Sequence, residues 1–371
     1  MAGKRVAPGS VASQIRFLLD SPEVASLVDA LEESRETGRR GYGSRALVGA
    51  CLIKSLYAIP TWSRTAALIA EHVALQNALG GVPSVYALYR FSAKLRRFKP
   101  ILDACLARLT ASLREELPEY GRDVAIDASD MPAFANGQRF LSKGGPERER
   151  FSDPDASWGH RSAISTRKGG GFYGYKLSMA SCARTELPVA WRVETARAHE
   201  SSLAADLLAR VRERVQPETA TLDKGYDVGP VYDACERHGV LPIIPLRQTI
   251  AVARGDHRAP TCEHGTWTFA GADTKRKAAK WRCPTGECKP ASRWIKAGRL
   301  HPLIPRESKR WGDLYRGRSA VEREFGRLKH EYGLALLRVR GLERVQLHAD
   351  LCILARLAVA LARARAVPLA A

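Results

Sequence analysis

Apolar residues recur every three or four positions from about residue 12 to residue 116, so this stretch is predicted to be helical throughout. Residues 44–58 form one such run, closed by Pro60. Ser63 is placed to cap a second helix that reaches Leu79 and ends at Gly80 and Gly81. Ser84 can cap a third, VYALYRFSAKLRRF, which should stop near Pro100. Three short helices with tight breaks suggest a helix-turn-helix unit. The third carries Arg90, Lys94, Arg96, Arg97 and Lys99 towards its end. These cations suit DNA phosphates; they suit equally a solvated face that complements the helix dipole.

The period changes after Arg122. DVAIDASDM (123–131) reads as a strand ending in acids, followed by a polar loop over 141–171. Two strands are expected at 172–180 and 187–195, then an amphipathic helix at 201–214. A short strand at 219–223, a helix near 229–238 and a strand at 240–246 follow. This order predicts an α/β layer with mixed strand directions. Residues 247–311 interrupt it with polar, basic sequence, and helical pattern resumes at about Ser319. The chain therefore divides into a helical part, 1–118, and an α/β part, 119–371, with an insertion at about 247–311.

Charge changes the picture most. The 371 residues hold 59 Lys and Arg against 39 Asp and Glu, a formal +20, which favours a polyanionic partner. With 45% hydrophobic and 26% charged residues, the chain is expected to be globular rather than disordered. The apolar stretch 351–362 is interrupted by Arg356 and falls short of the ~20 residues that span a bilayer, so no membrane partner is expected. MAGKRVAPGS has no apolar signal core behind it, which places the chain in the cytosol, near the nucleoid. Cys51, Cys105, Cys182, Cys235 and Cys352 are read as small packing residues.

Asp127 follows the apolar run 124–126, and Asp223 follows residues 219–222. Groups at strand ends line the sites of open α/β sheets, and carboxylates are ligands for Mg²⁺ or Mn²⁺. Further on, YRGRSAVEREFGRLK spaces Tyr315, Arg318, Glu322 and Lys329 at offsets of three, seven and fourteen. On one continuous helix at ~100° per residue the four fall within an arc of about 60°. Val321, Phe325 and Leu328 fall on another face, Arg323 and Arg327 on a third. Glu322 would take a metal and the cations a phosphodiester. The competing reading is local: Ser319-Ala320-Val321-Glu322 is also a capping box, in which Glu322 bonds back to the helix start and the stripe breaks.

Tyr315-x2-Arg318-x3-Glu322-x6-Lys329 resembles the Y-R-E-K signature of bacterial insertion-sequence transposases. Asp223 in LDKGYD resembles their second acidic motif and Asp127 in VAIDASD the first. The strand GFYGYKL (171–177) and the phrase RAHESS (197–202) stand between them in the family's order, and residues 41–69 are similar to its N-terminal domain. The likeness covers roughly residues 20–365. It implies an RNase-H-like core whose Asp127, Asp223 and Glu322 hold two divalent ions, Mg²⁺ or Mn²⁺. It also implies cleavage at the ends of a mobile element, joining of the 3′-hydroxyls to target DNA, and a homodimer in the active complex. The DNA partners are the element's terminal inverted repeats and the target. Candidate DNA contacts are Tyr315, Arg318, Lys329, Arg323, Arg327, Arg90, Lys94 and Arg97. Many relatives carry His after the GYKL strand, where this chain has Ser178. Two rivals stand beside this reading: a nuclease of the same fold without strand transfer, and a remnant that binds DNA without cutting it.

Other candidates have local explanations. Cys262, His264, Cys283 and Cys288 could form a zinc site, but Cys262-x-His264 is tightly spaced, and the reading adopted is a basic loop with incidental thiols. Trp267, Trp281 and Trp294 suit either base stacking or a small packed subdomain. Asp130 reads as a loop cap or a neighbour of the site, and His199 with Glu200 as a cap for the helix that follows. Arg167 and the glycines after Lys168 match no phosphate-loop pattern.

Overall fold

The structure is a computed structural model and describes residues 10–35, 41–161 and 168–366, the side chains of Glu200 and Ala251 excepted. Arg167 thus lies outside the described residues. Seven helices come first: α1 Val11–Leu19, α2 Pro22–Glu33, α3 Ser44–Leu56, α4 Trp62–Glu71, α5 Val73–Leu79, α6 Val85–Arg97 and α7 Lys99–Glu116. The second predicted helix is in fact two. Thr61, not Ser63, caps α4 by accepting from the Arg64 amide at 3.3 Å. His72 then takes an extended conformation and separates α4 from α5. Gly80, at φ +70, ends α5 in the left-handed region that favours glycine. Ser84 caps α6 as expected. Pro100 does not stop that helix; it sits in the first turn of α7, where its missing N–H costs nothing.

A mixed sheet follows, built from β1 Asp123–Pro132, β2 Ser157–Arg161, β3 Gly170–Cys182, β4 Pro188–Thr195, β5 Thr219–Leu222 and β6 Leu241–Ile243. β3 pairs antiparallel with β1, β2 and β4. β5 runs parallel to β1, and β6 parallel to β5. The stretch 141–171, expected to be all loop, contributes β2 to the sheet. Helix α8 (Glu200–Arg214) packs on β3 and β4, and α9 (Gly229–Arg237) links β5 to β6. His199 stands at the start of α8 but makes no side-chain cap.

The insertion is not a basic loop. After a short helix, α10 (Ile250–Arg254), it folds into a hairpin, β7 Thr261–Cys262 with β8 Gly265–Thr266. A three-stranded sheet follows: β9 Thr268–Asp273, β10 Ala278–Arg282 and β11 Ser292–Lys296. Trp267 and Trp281 are buried in its own small core, whereas Trp294 is exposed beneath Arg276 and Lys280.

The chain closes with α11 (Lys309–Arg316), α12 (Ser319–His330) and α13 (Leu342–Ala366). α12 lies on β1 and β3, and its Val321, Phe325 and Leu328 are buried as their spacing predicts. α13 is long and apolar enough to cross a membrane, but it packs against α3, α7 and β4. One continuous hydrophobic core therefore joins the N-terminal helices, the sheet and α13. Helices give way to strands at about residue 118, without a break in that core. Cys51, Cys105, Cys182, Cys235 and Cys352 are all buried.

Candidate active site

The strand register sets the first two carboxylates. Ile126 and Leu222 are the last paired residues of the parallel strands β1 and β5. Asp127 and Asp223 come next: Asp223 directly follows the last residue of β5, and Asp127 stands beside it in the middle of β1, where the pairing with β5 stops but that with β3 continues. The Asp223 carboxylate accepts from the Gly225 amide at 2.6 Å, and Asp127 from the Ala128 amide at 2.8 Å.

α12 brings the third. Glu322 is half exposed, and Arg318 Nη1 lies 2.8 Å from its Oε1 and 3.8 Å from Asp127 Oδ2. The capping-box reading of Glu322 is thus not what the fold uses. α12 begins at Ser319 with no side-chain cap, and the Ser319 hydroxyl donates to the Arg316 carbonyl. The predicted single helix is broken between α11 and α12, yet Gly317 and Arg318 keep right-handed helical backbone angles. That geometry preserves the facing of Tyr315, Arg318 and Glu322 across the break.

Burial opposes the charge on Arg318, but Glu322, Tyr315 and Asp127 together hold its pKa above the ordinary value. Burial chiefly raises the Tyr315 phenol, and the charges of Asp223 and Glu322 add to this against Arg318. The phenol therefore stays neutral near pH 7. Tyr315 also stacks on Trp311, with centroids 4.8 Å apart. Arg318 thereby bridges Asp127 and Glu322, and Tyr315 lies in the field of Asp223 and Glu322. A set of three carboxylates is hard-oxygen chemistry that fits Mg²⁺ or Mn²⁺ rather than a soft metal.

The remaining expected contacts fall elsewhere. Lys329 Nζ lies 3.6 Å from Asp130 Oδ1, and Arg161 lies 3.2 Å from Asp130 Oδ2. Asp130 is thus not a loop cap: it ties α12 and β2 to β1. Arg323 and Arg327 do not face the carboxylates. Both pair with Glu186 in the turn between β3 and β4, Arg323 at 2.5 Å, and Arg327 also reaches Glu324. Both thereby dock α12 to the turn between β3 and β4. Lys94 likewise turns inward and donates to the Leu31 carbonyl at 3.0 Å. Arg90 and Arg97 are exposed on α6. Ser178 is buried opposite Ala128, and among the described residues its hydroxyl has no hydrogen-bond partner.

Three features were not foreseen. Asp227, the second acid of LDKGYD, is buried and receives Arg299 in two bonds of 2.9 and 2.6 Å, together with the Arg247 amide and the Tyr232 hydroxyl. It fastens both ends of the insertion to the strand end that carries Asp223. Its signal in the sequence was its place in that motif. Glu324 is fully buried against Arg356, the residue that interrupts the apolar run of α13. Tyr86 and Tyr89 are exposed on α6 beside Arg90, whose guanidinium lies over the Tyr86 ring at 4.8 Å.

A family model described as "Transposase DDE domain" matches residues 121–358. Among solved structures the chain is similar to a piggyBac transposase in a synaptic complex with hairpin DNA, at 12% identity and a TM-score of 0.40. That match covers 94% of this chain and 74% of the other. No curated protein matches the chain.

Proposed function

The chain belongs to the transposase DDE-domain family, and from that premise we propose that it is a DNA transposase of the Y-R-E-K group. It would bind the ends of its insertion sequence, cleave there and join the 3′-hydroxyls to target DNA. The observation that carries this reading is the pairing of Ile126 with Leu222, which sets Asp127 beside Asp223, together with Arg318 between Asp127 and Glu322. The antiparallel run β4-β3-β1 followed by parallel β5 and β6 supports an RNase-H-like core.

Asp127, Asp223 and Glu322 are the residues to hold two divalent ions, Mg²⁺ or Mn²⁺. Such ions, when bound, lower the pKa of a water and stabilise a leaving oxygen. Arg318 exchanges its pairing with Glu322 for a phosphate oxygen of the scissile group, to which its planar fork is suited. Tyr315, neutral and stacked on Trp311, is placed to hydrogen-bond the DNA backbone. Lys329 acts through Asp130, fixing α12 on β1. Away from this centre, the exposed face of α6 with Tyr86, Tyr89, Arg90 and Arg97 is the surface for the element end. The active complex is a dimer, because two ends must be joined.

The test is cleavage of element-end DNA in Mg²⁺ or Mn²⁺ by wild type, Asp127→Ala, Asp223→Ala and Glu322→Ala, followed by strand transfer from a pre-cut 3′-end. The expected result is nicking and joining by wild type, and binding without nicking by all three variants. Nicking without joining would replace the transposase reading with a nuclease. Binding without nicking by wild type would leave only a DNA-binding remnant.

A further inference from the structure

The insertion contains a second cluster of ligand-type side chains, independent of the carboxylates. Among the described residues, one group of three such side chains has all its donor atoms within 4.8 Å of one another: Cys262, Cys283 and Cys288. Each stands at a turn. Cys262 ends β7 opposite Gly265, and Cys283 directly follows β10. Cys288 follows a turn in which Gly286 takes φ +81.

Two physical arguments say what gathers them. The first is size. The core around them is only Trp267, Ala279, Trp281 and Cys283, with a few partly buried neighbours, and it is separate from the main core. A core this small seldom offsets the entropy lost in ordering its residues, so such folds generally need a metal or a disulfide as a staple. The second is distance. Cys262 Sγ and Cys283 Sγ lie 3.8 Å apart. Two sulfurs bound at ~2.3 Å to a tetrahedral zinc are separated by about 3.8 Å. A disulfide would instead require about 2.05 Å and would leave Cys288 without a role.

We propose that Cys262, Cys283 and Cys288 bind one Zn²⁺ that cross-links the β7–β8 hairpin to the three-stranded sheet, with His264 as the fourth ligand. His264 lies in the hairpin turn two residues from Cys262, and its Nδ1 is 3.4 Å from Glu287, the neighbour of Cys288. Its ring nitrogens face Glu263 and Glu287 and lie outside the 4.8 Å group of sulfurs, so its side chain must turn from these carboxylates to reach the metal. Zinc entry displaces the thiol protons, so three thiolates and one neutral imidazole complete a closed structural site. Soft sulfur ligands also keep this ion distinct from the hard ions suited to Asp127, Asp223 and Glu322.

The experiment uses the full chain, purified under reducing conditions without chelator, and measures its metal content by mass spectrometry. One zinc per chain is expected, kept by Glu322→Ala and lost by Cys283→Ser and Cys288→Ser. Cobalt exchanged into the wild-type protein should show a thiolate charge-transfer band and tetrahedral ligand-field bands. The ligand-field bands should shift in His264→Ala; an unchanged spectrum would remove His264 from the site. Stripping the zinc should red-shift tryptophan emission, because Trp267 and Trp281 sit in this core. Wild-type chain that retains no zinc after loading and shows no cobalt–thiolate band overturns the proposal. So does a metal-free chain with a Cys262–Cys283 disulfide.

Discussion

Glu324 on α12 is fully buried and accepts two hydrogen bonds from Arg356 on α13, at 2.8 and 3.2 Å. The helix that carries Glu322 is therefore locked to the central helix of the core by a charge pair. Removing Glu324 leaves the Arg356 charge buried without this partner, whereas removing Arg356 leaves Glu324 still paired with Arg327 at 3.1 Å. Glu324→Ala is expected to cost about 3–5 kcal/mol, Arg356→Ala less because Arg327 remains on Glu324, and the paired Glu324→Leu with Arg356→Met less than Glu324→Ala. Denaturant titration of the three variants measures this; equal losses in all three would mean that packing, not charge, sets the cost.

Arg318 joins Glu322 to Asp127, so it should matter to the reaction more than to stability. Arg318→Gln is expected to lower cleavage on the order of 10²-fold, the scale for losing one donor aimed at developing charge. Its melting temperature should stay close to that of wild type. Wild-type cleavage by the variant would reduce Arg318 to a surface ion pair.

Gly174 lies where β3 passes the end of β1. A Cβ there would come within 2.3 Å of the Met131 carbonyl oxygen and 2.7 Å of the Ala133 amide nitrogen. Backbone cannot yield as a flexible side chain can. Gly174→Ala should thus cost roughly 1–3 kcal/mol, as overpacking does, and should push β1 out of register. Thermal unfolding tests the cost, and an unperturbed melting curve would show that this strand end is loose.

His348 is buried on α13, and burial, with Lys54 adding to it, pushes its pKa down to about 3. The unfolded chain takes up that proton near pH 6.5, well before the folded chain does. Its contribution is therefore complete above ~6.5 and is lost as pH falls towards about 3, with a limiting slope of about 1.4 kcal/mol per pH unit. His348→Gln should flatten this part of the profile. Stability measured from pH 7 to pH 5 checks the sign; parallel profiles would place the acid sensitivity in other groups.

On α6 the basic residues separate by direction. Arg90→Ala with Arg97→Ala should weaken DNA binding across sequences and reduce the salt slope by about 1 per lost phosphate contact. Lys94→Ala should leave the slope alone and lower stability instead, because Lys94 holds the Leu31 carbonyl. Affinity measured over a salt series, beside a melting curve, tells the two apart.

Local rules were enough for much of this molecule. Strand period, apolar runs and their breaks place β1, β3, β4, β5 and α8 within a few residues, because a side chain's facing depends only on its neighbours along the chain. The same rule put Val321, Phe325 and Leu328 inside and Glu322 outside. What it could not supply was partnership over distance. Whether Glu322 bonded back to Ser319 or out to Arg318 depended on the backbone staying helical through Gly317. The fates of Arg323 and Arg327 depended on a turn more than a hundred residues earlier that offered Glu186. Lys94 needed Leu31, and Glu324 needed Arg356. The tight Cys262-x-His264 spacing speaks against a zinc site along the chain; it says nothing of Cys262, Cys283 and Cys288, which only the folded hairpin and the turn after β10 bring together. A carboxylate or a thiol carries its chemistry in its own atoms, and so is legible in the sequence, whereas its partner is chosen only when the sheet and α13 bring distant segments into contact.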